Sequence, residues 1–411
     1  MLTILFVLFF ACYFFCLRKK IILLFICVFA FSITFLYKIF GSYFIDLSRD
    51  LNVNLWVLLF GVLYFYFWFL SFYYLSCFGL PGVLLHSLVM VLLSFLKLIF
   101  PLHPFILLYQ FNSDLLPRTG STFFNLFSLF FLSCVLFCQS SLYLRWGAVI
   151  SLVVFFLMSN QFRQHEKIDL KIAIVQVGLY FEKGGTTKFF FRDFFNFLNN
   201  HPEVNAVVFS ENNFFTYKSE YNKGMSEQLL SNIRQNNLHH TLHLFLSFSG
   251  YKDFNNVITL YMFEGITTIN QKKTLIPFIE KPGLFNSNNS LYSPFYTVNK
   301  KHKNKLFEIQ GSSVSTHICY DALFPEIDYQ SGDIAIIQSN YMLLDKGHGF
   351  ERLKQVATYL AKFIIGMKSK IVINIQNTGG TVVLLDGWRI DNETYETSKN
   401  EPFFVIDTNK L

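Results

Sequence analysis

Charged side chains are almost absent from the first 160 residues of this 411-residue chain, which contain eight cations and three anions. The chain has 34 lysines and arginines and 27 aspartates and glutamates in total, and nearly all the others lie from Arg163 onward. Burying an isolated charge in an apolar environment is very costly. The two parts of the chain must therefore have different surroundings.

The apolar part contains six runs close to the roughly 20 residues that a helix needs to cross a bilayer. These runs cover residues 1–17, 21–40, 53–78, 82–101, 122–139 and 143–160. We therefore expect residues 1–163 to form an α-helical transmembrane bundle of about six spans. Arg18, Lys19 and Lys20 form its densest basic cluster, and the positive-inside rule then places residues 164–411 on the outer face of the membrane.

Residues 164–411 have the pattern of one sizeable α/β domain. Short apolar runs predict strands at residues 171–177, 204–209, 242–248, 257–263, 313–319, 333–338, 371–375 and 381–385. Helical periodicity at residues 187–199, 225–236 and 350–367 alternates with some of them. The β-branched run at 171–177 is typical of a sheet that is buried on both faces.

Two residues with useful chemistry lie at the ends of predicted strands, and a third leads into a loop. Glu211 comes directly after the run Val207–Ser210, Lys272 lies between a strand and a proline-containing loop, and Cys319 ends the run that begins at Ser313. Cys319 is also the only cysteine after residue 138, so neither a disulfide nor a thiolate metal cluster within the polar part explains it. Reactive groups of α/β proteins collect beyond the carboxyl ends of strands.

A thiol, a carboxylate and an ammonium together suit nucleophilic attack on a carbonyl. The thiol needs a base to take its proton, and the oxyanion that forms needs a fixed positive donor. Each residue also has an ordinary explanation: a core cysteine, a solvated turn carboxylate and a surface lysine beside Lys273. The functional interpretation therefore depends on the three occurring together.

Four segments in this order resemble the nitrilase, or carbon–nitrogen hydrolase, superfamily and, within it, the apolipoprotein N-acyltransferase family. They are Val207–Glu211, Lys272–Glu280, Ile318–Asp321 and Asn377–Thr381. The most specific is Lys272–Glu280, KKTLIPFIE, which resembles the family's Lys-x-x-Leu-Val-Pro-Phe-Gly-Glu. Because Leu275 lies three residues after Lys272, this match favours Lys272 over Lys273.

The resemblance implies a four-layer α-β-β-α sandwich for residues 164–411 and a role for each matched residue. Glu211 would be the general base, Lys272 the oxyanion donor and Cys319 the nucleophile. Supporting roles would fall to Glu280, Tyr320 and Asp321. The chain departs from the family pattern at Ser210, Ile279 and Asp321, where proline, glycine and glutamate are usual, and a final membrane span after the catalytic domain is missing.

The same resemblance implies a bacterial inner-membrane enzyme with its catalytic domain on the periplasmic face. It would move a fatty acyl chain from a phospholipid, through a Cys319 thioester, to the N-terminal amine of a diacylglyceryl-cysteine lipoprotein. No cofactor, metal or nucleic-acid partner is expected. The net charge of +7 is spread out, and the cluster His239-His240-x-x-His243 lacks the usual zinc spacing.

Two alternatives remain open at this stage. The chain could be a membrane-tethered amidase or acyltransferase of the same superfamily that acts on another amine. It could also be a non-catalytic envelope scaffold descended from such an enzyme. The reactivity of Cys319 separates the second alternative from the first.

Overall fold

The computed structural model describes residues 26, 29, 30, 51–98, 101, 121–135, 138, 140–159, 168–276, 280–281, 296–326, 331–341, 351–365, 369–386 and 388–411. The chain divides into two compact units. The first comprises Met1–Arg163, Phe324–Ile327 and His348–Met367. The second comprises Gln164–Leu323, Asp328–Gly347 and Lys368–Leu411.

The first unit is helical where it is described. Its helices are α1 (Leu51–Ser76), α2 (Leu80–Phe95), α3 (Thr122–Val135), α4 (Leu142–Ser159) and the helix Glu351–Ile364. Aromatic packing joins α1 to α3, since Trp68 and Phe130 meet edge to face with ring centroids 6.3 Å apart. The Thr122 hydroxyl donates a 2.9 Å hydrogen bond to the carbonyl of Ile364, so the later helix belongs to this unit.

The transmembrane bundle expected for residues 1–163 is wrong as a description of this unit. Among the described residues, no helix combines the length and the apolar character that crossing a membrane requires. Helices α2 and α3 have only 16 and 14 residues, fewer than the roughly 20 that a span needs. The predicted spans at 1–17 and 21–40 lie almost wholly outside the described residues.

The second unit contains two β-sheets. The first has the strand order β11-β1-β2-β3-β4-β5 and the second β10-β9-β8-β7-β6. In chain order the strands are β1 (Lys171–Val175), β2 (Ala206–Phe209), β3 (His243–Tyr251), β4 (Phe254–Phe263), β5 (Ile266–Gln271), β6 (Phe307–Ile309), β7 (Ser312–Ile318), β8 (Ile334–Ser339), β9 (Ile371–Gln376), β10 (Val382–Leu384) and β11 (Phe403–Asp407).

Parallel pairs form the centre of each sheet, and antiparallel strands form its edges. Strand β2 is parallel to β1 and β3, and β8 is parallel to β7 and β9. Strand β11 pairs antiparallel with β1, and β6 pairs antiparallel with β7. Parallel central strands end at the same edge of their sheet, which brings the loops after β2 and β7 to one end of their respective sheets.

Two clusters of buried apolar residues show how the layers of this unit are stacked. One lies between the sheets and combines residues of both, including Ile174, Val208, Ile336 and Ile373. The other covers the opposite face of the first sheet, where β-strand residues meet Phe194 and Leu229. Those two side chains come from helices α6 (Thr187–Asn200) and α7 (Glu220–Gln235). The layers within the second unit are therefore helix, sheet and sheet.

Every strand predicted for the polar part overlaps an observed one, so this part of the fold prediction is confirmed. Strands β5, β6 and β11 were not predicted. Three further helices, α5 (Val177–Glu182), α8 (Leu238–Thr241) and α9 (Asn392–Asn400), were also missed. The expected α/β fold with two facing sheets is present, but this unit has three layers instead of the four expected, because the helix Glu351–Ile364 belongs to the first unit. The membrane part requires the correction given above.

Candidate active site

The three reactive residues lie at strand ends of the two facing sheets. Glu211 follows β2 by two residues, and Lys272 directly follows β5, which is in the same sheet. Cys319 directly follows β7 of the second sheet. The candidate site thus draws its acid and its ammonium from one sheet and its thiol from the other.

Lys272 lies between two carboxylates in the protein interior. Its side chain has no exposed surface, and its Nζ donates hydrogen bonds to Oε1 of Glu280 at 2.7 Å and to Oε1 of Glu211 at 3.2 Å. Glu280 is fixed in turn, because its Oε2 accepts a 2.8 Å hydrogen bond from the backbone N–H of Ile276. The neighbouring Lys273 is half-buried, and the bonds to both carboxylates come from Lys272.

Burial and the neighbouring charges have opposite effects on the pKa values of Glu211 and Lys272. Burial raises the pKa of the Glu211 carboxyl, and although Lys272 lowers it, the net pKa lies above the ordinary value. Burial alone would lower the pKa of Lys272, but Glu211 and Glu280 raise it, and its pKa lies well above the usual 10.5. Lys272 therefore remains an ammonium at neutral pH, whereas Glu211 takes up a proton more readily than an exposed glutamate.

Cys319 occupies a strained backbone position. Its φ is +46°, in the left-handed region that residues with a Cβ rarely adopt, and it begins a 3-10 turn from Cys319 to Leu323. Only 5% of its surface is exposed. Burial first, and then the Glu211 charge, raise the pKa of the thiol to about 12, although Lys272 and a backbone hydrogen bond from Asn340 lower it. At rest the sulfur is therefore a neutral thiol.

The Oε2 atom of Glu211 is the proton acceptor that a neutral thiol needs. It is buried and, among the described residues, no donor makes a hydrogen bond to it, whereas Oε1 is bonded to Lys272. The carboxyl also interacts with the Cys319 thiol, which contributes least among the groups that shift its pKa. One oxygen therefore fixes the carboxylate, and the other has the capacity to accept a proton.

The two residues after the nucleophile take part in the same site. Oδ1 of Asp321 accepts a 2.8 Å hydrogen bond from the backbone N–H of Thr274, which joins the 3-10 turn to the segment after Lys272. Burial raises the pKa of the Tyr320 phenol to about 12, and this phenol also senses the charges of Lys272 and Glu280. All six residues proposed from the sequence thus lie in or beside one site.

Lys218 is a site neighbour that the sequence did not suggest. Its Nζ lies 3.6 Å from the centre of the Tyr296 ring, and the hydroxyls of Tyr296 and Ser249 are hydrogen-bonded to each other. The backbone N–H of Tyr296 donates a 2.9 Å hydrogen bond to the carbonyl of Glu280. Burial lowers the pKa of Lys218 to about 8, and Glu280 opposes the fall. No motif surrounds Lys218, so only its position in the fold reveals it.

His243, from the histidine cluster His239-His240-x-x-His243, contacts aromatic residues. His243 Nδ1 is 2.8 Å from the hydroxyl of Tyr261, and its ring stacks on Phe263 at 3.6 Å. In the part of the chain that the structure describes, no group of three or more His, Cys, Asp or Glu side chains is arranged to hold a metal ion.

No protein-family model and no curated protein matches this chain. Solved structures are similar to it at 13–14% identity. The carbon–nitrogen hydrolase from Helicobacter pylori G27 is 14% identical, with a TM-score of 0.38 over 60% of this chain and 91% of that chain. A CN-hydrolase superfamily protein from Xanthomonas campestris, with an arsenic adduct in its active site, has a TM-score of 0.36 at 14% identity, over 55% of this chain and 85% of its own.

The glutamine-dependent NAD+ synthetase from Acinetobacter baumannii is also similar, at 13% identity and a TM-score of 0.36. The match covers 54% of this chain but only 43% of the synthetase, so this chain spans less than half of that enzyme's length. Scores of this size do not establish a shared activity.

Proposed function

We propose that this protein is a cysteine-dependent acyl-transfer enzyme of the nitrilase superfamily, acting on an amide or ester carbonyl. The observation that carries the proposal is the bonding of Lys272. Its ammonium is held between Glu280 and Oε1 of Glu211. Oε2 of Glu211 is buried without a hydrogen bond from Lys272, and the same carboxyl interacts with the Cys319 thiol.

In the first half of the proposed reaction the Cys319 sulfur attacks the substrate carbonyl carbon, and its proton passes to Oε2 of Glu211. The C–S bond forms as the carbonyl π bond opens, and the Lys272 ammonium stabilises the negative oxygen. The intermediate then collapses to a thioester, and Glu211 returns the proton to the leaving nitrogen or oxygen.

In the second half an amine or a water molecule attacks the thioester. Glu211 takes a proton from this nucleophile, the C–S bond breaks, and the sulfur recovers a proton to regenerate the thiol. Glu280 neutralises Lys272 throughout, because it makes the shorter of the two bonds to the ammonium. Glu211 is then available for proton transfer in both halves.

The specific reaction we propose is transfer of a fatty acyl chain from a phospholipid ester to the N-terminal amine of a diacylglyceryl-cysteine lipoprotein. The support is the motif resemblance of Lys272–Glu280 and Ile318–Asp321. Both substrates carry fatty acyl chains, and the proposal implies that the enzyme acts at the inner membrane with its site toward the periplasm.

Intact-mass analysis after incubation with phosphatidylethanolamine tests this proposal. We expect the protein to gain the mass of one acyl chain, and hydroxylamine should remove it because a thioester is labile to this nucleophile. Cys319→Ala should abolish the adduct. An adduct that forms only with amide donors would favour the amidase alternative. A protein that stays unacylated by every donor, with Cys319 inert toward iodoacetamide, would indicate a non-catalytic scaffold.

A further inference from the structure

Polar side chains bridge the two facing sheets at the end that carries the candidate site. The middle of the sandwich is apolar, with Ile174, Ile336 and Ile373 among its buried residues. Apolar contacts are non-directional and do not by themselves fix the distance between two strand ends. Hydrogen bonds do fix it. Some of them join the loops beyond the strands, as Asp321 does with Thr274, and two bridges described next join the strands themselves.

The first bridge is Gln338, on β8. Its Nε2 donates a 2.6 Å hydrogen bond to the carbonyl of Phe209, two residues before Glu211, and its Oε1 accepts one from the hydroxyl of Thr259. Gln338 is fully buried and pairs in register with Ile318, the residue before Cys319. It therefore connects the end of β2, which precedes Glu211, to the end of β7, which precedes Cys319.

The second bridge is the pair Asn270–Thr316. Asn270 lies on β5, two residues before Lys272, and Thr316 lies on β7, three residues before Cys319. Nδ2 of Asn270 donates a 2.8 Å hydrogen bond to the hydroxyl of Thr316. The other bonds of Asn270 hold Lys305, since its Oδ1 accepts from that backbone N–H at 2.8 Å and its Nδ2 donates to that carbonyl at 2.9 Å.

We propose that Gln338 and the Asn270–Thr316 pair are positioning residues, which set the distances from the Cys319 thiol to the Glu211 carboxylate and to the Lys272 ammonium, respectively. Gln338 joins strands β2 and β4 of the first sheet, and Asn270 joins β5, to the β7–β8 region of the second. The reactive groups come from different sheets, so a small slide of one sheet over the other would separate them. This inference rests on the proposed role of Cys319 as nucleophile.

The two bridges predict opposite effects on the thiol. Lys272 stabilises the thiolate of Cys319, and Glu211 destabilises it. If the Lys272 ammonium moves away from the sulfur, the pKa of the thiol should rise. If the Glu211 carboxylate moves away, the pKa of the thiol should fall. Thr316→Val removes one acceptor at nearly constant volume. Gln338→Met removes the bonds to Phe209 and Thr259 while keeping an unbranched side chain of similar length.

Ser313→Ala is the matched control. Ser313 lies at the opposite end of β7, where its hydroxyl hydrogen-bonds to Oδ2 of Asp333 at 2.7 Å. The same hydroxyl also accepts a 2.9 Å hydrogen bond from the backbone N–H of Asp333, so this variant loses two hydrogen bonds on the same strand without altering the sheet-to-sheet bridges. Thr316→Ser serves as the conservative rescue, because it keeps the hydroxyl that Asn270 reaches.

The experiment measures the rate of Cys319 alkylation by iodoacetamide in the full chain, resolved by peptide mass spectrometry, across about pH 7 to 10. At each pH, Thr316→Val should react several-fold more slowly than wild type and Gln338→Met several-fold faster, with Ser313→Ala and Thr316→Ser within twofold. In the acylation assay both bridge variants should lose roughly 10- to 100-fold in rate, since small displacements of reacting groups cost this much.

The positioning role is refuted if both bridge variants alkylate like Ser313→Ala, or if both change in the same direction in proportion to their loss of thermal stability. The alkylation measurement needs no acyl donor. A wild-type protein that forms no acyl adduct would therefore overturn the proposed function while leaving the positioning test valid.

Discussion

Lys272 is bonded more closely to Glu280 than to the acid proposed as the base: the Nζ–Oε1 distance is 2.7 Å for Glu280 and 3.2 Å for Glu211. A buried ammonium needs a counter-charge, and Glu280 supplies it. This division keeps Glu211 from being committed entirely to an ion pair. It also means that the two glutamates should respond differently to the same substitution.

Replacing each glutamate by glutamine tests this division. Glu211→Gln removes the proton acceptor and should reduce acylation of Cys319 by roughly 10²- to 10⁴-fold. In Glu280→Gln the ammonium turns to Glu211, whose pKa falls, and the rate should fall by at most about tenfold per pKa unit. Single-turnover acylation rates measure both effects. Equal losses in the two variants would contradict the assignment of Glu211 as the base.

Removing the buried ammonium should cost much stability. Lys272→Met leaves two buried carboxylates without their partner, and breaking a buried ion pair in this way costs about 3–5 kcal/mol. Urea denaturation gives the free energy of unfolding for the comparison. The neighbouring Lys273→Met is the control, and it should cost at most about 1 kcal/mol. A loss in Lys272→Met as small as the control's would show that the carboxylates do not need the ammonium.

The strained backbone at Cys319 makes an unusual prediction for stability. Its φ of +46° is unfavourable for any residue with a Cβ and free of that penalty for glycine. Cys319→Gly should therefore be more stable than Cys319→Ala by roughly 1 kcal/mol, despite its greater unfolded-state entropy. Thermal denaturation of the two inactive variants decides the matter. Greater stability of the alanine variant would argue against strain at this position.

The buried thiol should weaken the fold at alkaline pH. Its pKa is raised from 9.0 to about 12 in the folded state, so the unfolded chain loses this proton first. The folded state then binds more protons than the unfolded state, and the free energy of unfolding falls as pH rises from about 9 toward 12. Cys319→Ala should show a shallower decline over this range. Parallel curves for both proteins would contradict the assigned shift.

Lys218 should be the most readily acylated lysine of the site. Its pKa is lowered to about 8, so near pH 8 about half of its amine is unprotonated, whereas an ordinary lysine with a pKa of about 10.4 is almost fully protonated. Brief acetylation with acetic anhydride, followed by peptide mass spectrometry, should modify Lys218 well before Lys272. Tyr296→Leu, which removes the ring beneath the ammonium, tests whether this packing sets its reactivity.

The sequence predicted the fold and the site best where a run of β-branched residues or a specific motif marked the position. β-branched runs predicted the central strands, and the motif around Lys272 distinguished it from Lys273 before any geometry was known. Strands β5 and β6 were missed because their residues are polar or few. Each belongs to a hairpin with a two-residue turn, Glu264-Gly265 and Gln310-Gly311, in which both residues have positive φ. Such turns are a recognisable hairpin pattern, and they could have revealed both strands.

Other features could not be read from the chain. Lys218 gains its role only because the fold brings it over Tyr296, and the bridges at Gln338 and Asn270 join residues far apart in sequence. The transmembrane expectation failed for a related reason. Four of the six apolar runs fall on helices, and the runs at 1–17 and 21–40 lie almost wholly outside the described residues. Hydropathy does not show where a helix ends, and α2 and α3 are shorter than the runs that predicted them.

Strand β11 pairs with β1 along its full length, from Lys171–Asp407 to Val175–Phe403, although more than 220 residues separate these strands in the chain. The side chain of Gln176, just after β1, also donates to the carbonyls of Ser398 and Glu401. During synthesis the ribosome therefore releases the nucleophile-bearing segment while the edge of the first sheet is still open. The first sheet gains this edge strand only after translation has passed residue 407.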